Sequence, residues 1–85
     1  MPNNPTILVV EDDSPIRRGI VDALSGAGYQ VLDAADGGQG MEKALHATFD
    51  LMLLDLALPI YDGFTILEAV NEARPGLPVI ILKLQ

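Results

Sequence analysis

Cysteine is absent, so neither a disulfide framework nor a thiolate metal centre is available. A reducing compartment is thereby permitted but not required. Basic residues are scarce: five Lys and Arg stand against twelve Asp and Glu, a net charge of −7. Attachment to a phosphate backbone relies on Lys and Arg displacing counterions, which excludes nucleic acid as a partner of this segment. Tryptophan is missing and only Phe49, Phe64, Tyr29 and Tyr61 are aromatic, so the core must be built from Leu, Ile, Val and Ala, a composition that suits an α/β layer fold. No apolar run approaches the roughly 20 residues of a membrane helix. The opening Met1-Pro2-Asn3-Asn4-Pro5 has neither the basic start nor the apolar stretch of a signal peptide, and a soluble, cytoplasmic chain is expected. Eighty-five residues suffice for one domain, read here as residues 1–85 with 1–5 as a tail.

What is present is a series of short aliphatic runs. Thr6 to Val10, Gln30 to Ala34, Leu51 to Leu54 and Pro78 to Leu82 read as strands, the first and third apolar enough to be buried on both faces of a parallel sheet. Between them lie three helical patterns. Ser14-Pro15 predicts a start with Ser as the cap and Pro in the first turn. Ile16, Ile20, Val21, Leu24 and Ala27 then form a stripe expected to face the sheet. Gly37-Gly38 opens a second helix with Met41, Ala44 and Leu45 inward and Phe49 beneath its end. Phe64 to Ala73 forms a third, with Phe64, Leu67 and Val70 on one side, stopped by Pro75-Gly76. The order βαβαβαβ predicts an open parallel sheet with helices on both faces.

In such a sheet the site lies at the carboxyl ends of the strands, near the reversal of strand order. Glu11, Asp12 and Asp13 follow the first strand and Asp55 follows the third. Three carboxylates in one crevice repel one another, so the cluster needs raised pKa values or a divalent cation. Oxygen ligands with no His or Cys nearby favour Mg²⁺ or Mn²⁺. Taken alone, Glu11-Asp12-Asp13 also reads as a solvated turn before a helix, and Asp55 as a cap. Gly37-Gly38 is not followed by the Gly-Lys-Ser/Thr of a phosphate loop and reads as a turn.

The stretch Ile7-Leu8-Val9-Val10-Glu11-Asp12-Asp13, with Leu53-Leu54-Asp55-Leu56-Ala57-Leu58-Pro59 and Asp62-Gly63, closely resembles the receiver domain of two-component response regulators. The resemblance runs from Thr6 to Leu82. It implies a CheY-like, flavodoxin-like fold and a phosphoacceptor signalling domain rather than an enzyme. Asp55 would receive a phosphoryl group from a sensor histidine kinase or phosphotransfer protein. Asp12 and Asp55 would bind Mg²⁺ directly, Glu11 through water, and the Ala57 backbone carbonyl would supply another ligand. Asp13 would have a supporting part near the first helix, and Pro59 and Gly63 would shape the loop after the acceptor.

Two departures from the pattern matter. The resemblance places Lys83 where the family has a Ser or Thr that contacts the phosphoryl group. Lys83 either brings an ammonium towards Asp55 or belongs to a tail without a role. The family's last helix, strand and helix have no counterpart in these 85 residues, so the sequence reads as a receiver truncated after the fourth strand, with impaired phosphotransfer. Apolar side chains of the third and fourth strands would then face solvent, and a homodimer or swapped oligomer is expected through that face and the fourth strand. The rival reading is a non-catalytic module that pairs with itself, with receivers or with kinases.

Overall fold

A computed structural model describes residues 4–83, with the side chain of Lys83 outside that description. Four strands and three helices alternate: β1 (Thr6–Val10), α1 (Ser14–Gly26), β2 (Gln30–Ala34), α2 (Gly37–His46), β3 (Leu51–Asp55), α3 (Gly63–Ala73) and β4 (Val79–Lys83). All pairings are parallel and the strand order is β2-β1-β3-β4. The chain therefore steps outward from β1 in one direction to β2, and then from β3 in the other. The switch point lies between the C-terminal ends of β1 and β3, where open parallel sheets place their ligands.

The two-residue alternation of the strands sorts their side chains between two layers. Leu8 and Val10 on β1, with Met52 and Leu54 on β3, join Ala34, Ala44, Phe49, Leu56, Ile66 and Val70 in one buried cluster under α2 and α3. Val79 and Ile81 of β4 pack at its margin. On the opposite face Ile7 and Val9 are buried, and α1 lies over β1 and β2. Ile80, which points to this second face, is 52% exposed. Leu51, Leu53 and Leu82 are half-buried, so of the side chains expected to face solvent here only Ile80 is exposed.

Several local expectations need correction. Asp13, not Ser14, caps α1: it sits in the extended region and its carboxylate accepts from the Ile16 N–H at 3.0 Å. The stripe of α1 leaves no residue of that helix fully buried, and Ile16 is exposed, because the helix covers only the β1–β2 half of its face. Ala27 lies outside the helix as its C-cap. On α3 Val70 is buried and Leu67 packs against the core as expected, joined by Gly63 and Ile66, whereas Phe64 is 60% exposed. Phe49 is buried below α2 as expected, and the Arg74 guanidinium stacks on its ring at 4.7 Å. The same guanidinium donates to the carbonyls of Ala44 and Ala47 at 2.9 and 2.8 Å. It thereby satisfies acceptors that the end of α2 leaves unpaired.

Candidate functional site

Each member of the acidic cluster is placed by strand termination. Pairing of β1 with β2 and β3 ends at Val10, and Glu11 follows with its N–H bonded to the Ala34 carbonyl at 3.1 Å. Its side chain is fully buried, while Asp12 turns out to solvent. Asp55 is the last residue of β3, 1% exposed. One carboxylate oxygen from each of Glu11, Asp12 and Asp55 can be chosen so that all three lie within 4.8 Å of one another. The sequence-derived trio therefore converges at the switch point. Octahedral Mg²⁺ holds its oxygens at about 2.1 Å, so opposite ligands are about 4.2 Å apart. The cluster is close to that span, and its donor set is all hard oxygen.

Asp13 does not join the cluster; besides capping α1, its N–H donates to Glu11 Oε2 at 3.1 Å. The Ala57 N–H donates to Asp55 Oδ1 at 3.0 Å. Lys83 lies in β4 in register with Asp55, beside an irregularity of pairing at Leu54 and Asp55. The expectation for its ammonium falls on a side chain outside the described atoms.

The loop from β3 to α3 closes over this end of the sheet. The Gly63 N–H donates to the Leu56 carbonyl at 2.8 Å, which folds the chain back on itself immediately after Asp55. The Pro59 carbonyl accepts from two sides, the Gly37 N–H at 2.9 Å and the Tyr61 N–H at 3.0 Å. Between Pro59 and Tyr61, Ile60 has φ 75° and is 73% exposed. A hydrogen bond from residue i+2 back to residue i across positive φ is the γ-turn of the strained hand, and a β-branched residue there is an outlier. Gly37 permits this approach because a Cβ on it would stand 2.0 Å from the Tyr61 carbonyl oxygen and 2.6 Å from that of Pro59. Sequence reasoning saw Gly37 and Gly38 only as a turn; the demand for a missing Cβ arises across 22 or more residues of chain and leaves no local signal.

Asp62 caps α3, its Oδ1 accepting from the Thr65 N–H at 2.8 Å and the Thr65 hydroxyl at 3.0 Å. The backbone bond foremost, then the hydroxyl, holds its carboxyl below the ordinary value of 3.8. A carboxyl depressed in the folded state contributes stability that is present above the unfolded pKa and is lost as pH falls through the folded one. Asn keeps the accepting oxygen and cannot titrate. Asp62→Asn is therefore expected to make acid unfolding below about pH 4 less steep, as followed by circular dichroism. An unchanged acid limb would show that the cap plays no part in the pH dependence.

Comparison with known proteins bears on this arrangement. A family profile described as the response regulator receiver domain matches residues 7–84. The chain belongs to the response regulator receiver family. This receiver is 41% identical over 76 residues to response regulator RR06 of Streptococcus pneumoniae, covering 89% of this chain and 35% of that protein. It is 42% identical over 76 residues to the transcriptional regulatory protein DltR of Streptococcus agalactiae, covering 89% and 34%. The chain thus spans about a third of the length of these curated relatives. Among solved structures it superposes with TM-score 0.81 and 32% identity on the receiver domain of a sensor histidine kinase from Pseudomonas aeruginosa PAO1, over 94% of this chain and 67% of that one. That structure is described with a magnesium ion coordinated in its active-site cleft. Among the described residues no helix of this receiver is long and apolar enough to cross a membrane.

Proposed function

We propose that this receiver accepts a phosphoryl group on Asp55 from the phosphohistidine of a sensor histidine kinase or phosphotransfer protein, with Mg²⁺ as cofactor. The observation that carries the reading is the convergence of Glu11, Asp12 and Asp55 within 4.8 Å at the switch point of the sheet. The magnesium described in the Pseudomonas relative supports the choice of cation. Asp12 and Asp55 would hold it directly, Glu11 through water, and the Ala57 carbonyl would complete the protein's contribution. Bound there, Mg²⁺ supplies charge neutralisation for the oxygens of the phosphoryl group in transfer.

The chain's own part is nucleophilic. An Asp55 carboxylate oxygen forms the new bond to phosphorus as the P–N bond to the donor breaks. The donor imidazole, protonated on its other nitrogen, leaves neutral, and an acyl phosphate remains. The Ala57 N–H on Oδ1 fixes the plane of the attacking carboxylate, and burial of Asp55 restricts water at the reacting atom. The domain acts as a stoichiometric acceptor rather than a turnover enzyme.

Intact mass after exposure to Mg²⁺ and a small phosphodonor tests the reading. A phosphoryl-sized gain in the wild type, absent from Asp55→Asn and from the wild type in chelator, is expected. No gain in the wild type, with the fold intact by circular dichroism, would overturn it.

A second reading is a non-catalytic module that self-associates, favoured by the exposure of Ile80 on a strand that pairs only with β3 among the described residues. An apolar strand with a free edge is a template for another strand. Light scattering on the same sample separates the cases: a dimer without a mass gain supports the second reading, and a monomer dismisses it.

A further inference from the structure

A chain of contacts runs from β2 through α1 to the first member of the acidic cluster. Arg17 Nε pairs with Asp33 Oδ2 at 3.2 Å, and Arg17 Nη1 donates to the Glu11 carbonyl at 3.0 Å. The Arg17 side chain is only 18% exposed, so salt screens it less than a surface cation. Arg17 uses two arms of a rigid planar fork, a task for which Lys is no substitute. Asp33 is itself steadied, because its own carbonyl accepts from the Lys43 ammonium on α2.

The consequence falls on the turn that follows β1. The peptide unit before Glu11 is fixed by its N–H on the Ala34 carbonyl. The peptide unit after it, which joins Glu11 to Asp12, is held by Arg17 through the Glu11 carbonyl. The next is held by the Asp13 N–H on Glu11 Oε2. Three consecutive peptide units around Glu11 and Asp12 are thereby anchored, the middle one by the Arg17 side chain.

We infer that Arg17 is a positioning residue for the acidic cluster: held by Asp33, it fixes the Glu11–Asp12 peptide and so presents Asp12 to a divalent cation beside Asp55. This rests on the metal-dependent reading above. Positioning and simple electrostatics predict opposite signs. Removing a guanidinium near a cation site relieves repulsion and should tighten binding, whereas loss of an outer contact that orients a ligand typically weakens metal affinity ten- to a hundredfold.

Mn²⁺ titration followed by electron paramagnetic resonance decides between them, since Mn²⁺ takes the same carboxylate, carbonyl and water oxygens as Mg²⁺. Arg17→Met is expected to weaken Mn²⁺ binding about tenfold. Asp33→Asn, which loosens Arg17 without removing it, is expected to weaken binding less. The double variant should bind no more weakly than Arg17→Met alone, because Asp33 acts through Arg17. Arg17→Met binding as tightly as the wild type or more so, or losses that add in full, would overturn the inference. If Arg17→Met does not fold, Asp33→Asn decides it, since that side chain is 52% exposed and its loss leaves the core untouched: unchanged affinity overturns the inference. A wild type that binds no Mn²⁺ sinks the metal-dependent reading and the inference with it, whereas a wild type that binds and an Arg17→Met that binds equally sinks the inference alone.

Discussion

Gly63→Ala is expected to lower the free energy of unfolding by about 3 kcal/mol or more. A Cβ at this position would stand 2.4 Å from the Leu56 Cα and 2.5 Å from the Asp55 carbonyl oxygen. Both are backbone atoms of the segment leaving β3, and neither can rotate aside as a side chain would. Relief requires pulling the start of α3 off the end of the sheet, which breaks the Gly63 N–H bond to the Leu56 carbonyl and separates Asp55 from its loop. A loss of that size is a large fraction of the about 5 kcal/mol a small domain has at the low end. Urea unfolding gives the comparison, with Gly19→Ala as control. Gly19 lies within α1 with nothing within 4 Å of an added Cβ, and Ala there is expected to stabilise by up to about 1 kcal/mol. Equal midpoints for the two variants would show that the loop yields where the close approach says it cannot.

Ile66→Ala tests the opposite fault, a void instead of a clash. Ile66 is fully buried, and its Cδ1 lies 3.3 Å from where a Gly40 Cβ would be. The absence of a side chain on α2 is thus filled by a large one from α3, over Val10 of β1. Truncation removes that filling at the junction of two helices and the sheet, and a loss of about 2–5 kcal/mol is expected. The urea midpoint should fall steeply while the slope of the transition stays unchanged. A fall equivalent to less than about 1 kcal/mol would mean that α2 and α3 close the gap by sliding together.

The two faults differ in how far the sequence announces them. Ile66 is apolar and in a helical stripe, yet periodicity points to Phe64, Leu67 and Val70, of which Leu67 and Val70 do pack inward and Phe64 does not. A stripe of 3.6-residue period through Val70 admits Ile66 as readily as Phe64. The chain instead leaves Phe64 outside and turns Gly63 inward, because the start of α3 lies too close to Leu56 for any side chain. The four strands were legible because β-branched and aliphatic runs are short and bounded by turn residues. β3 runs one residue further, to Asp55, and β4 is shifted by one at both ends, to Val79 and Lys83, because pairing rather than composition sets the limit. The cap of α1 differs by one for a similar reason: Asp13 and Ser14 are both good caps, and only the extended backbone of Asp13 and its bond from the Ile16 N–H separate them.

The site was more legible than its support. Carboxylates at the ends of two apolar runs implied their meeting, since neighbouring parallel strands bring their ends together. What holds the site depends on approaches between distant elements. Gly37 against Pro59 and Arg17 against Asp33 join residues that lie far apart in the chain, and no spacing rule marks them.

The Pro59 carbonyl offers a last consequence. Its oxygen has two lone pairs, and both are in use, one by α2 through Gly37 and one by its own turn through Tyr61. A displacement of the loop after Asp55 cannot keep both donors in line. The Gly37 and Tyr61 amide protons therefore form a paired spectroscopic gauge on either side of one atom, whose nuclear magnetic resonance shifts would register together, and in separable directions, any rearrangement that begins at the end of β3.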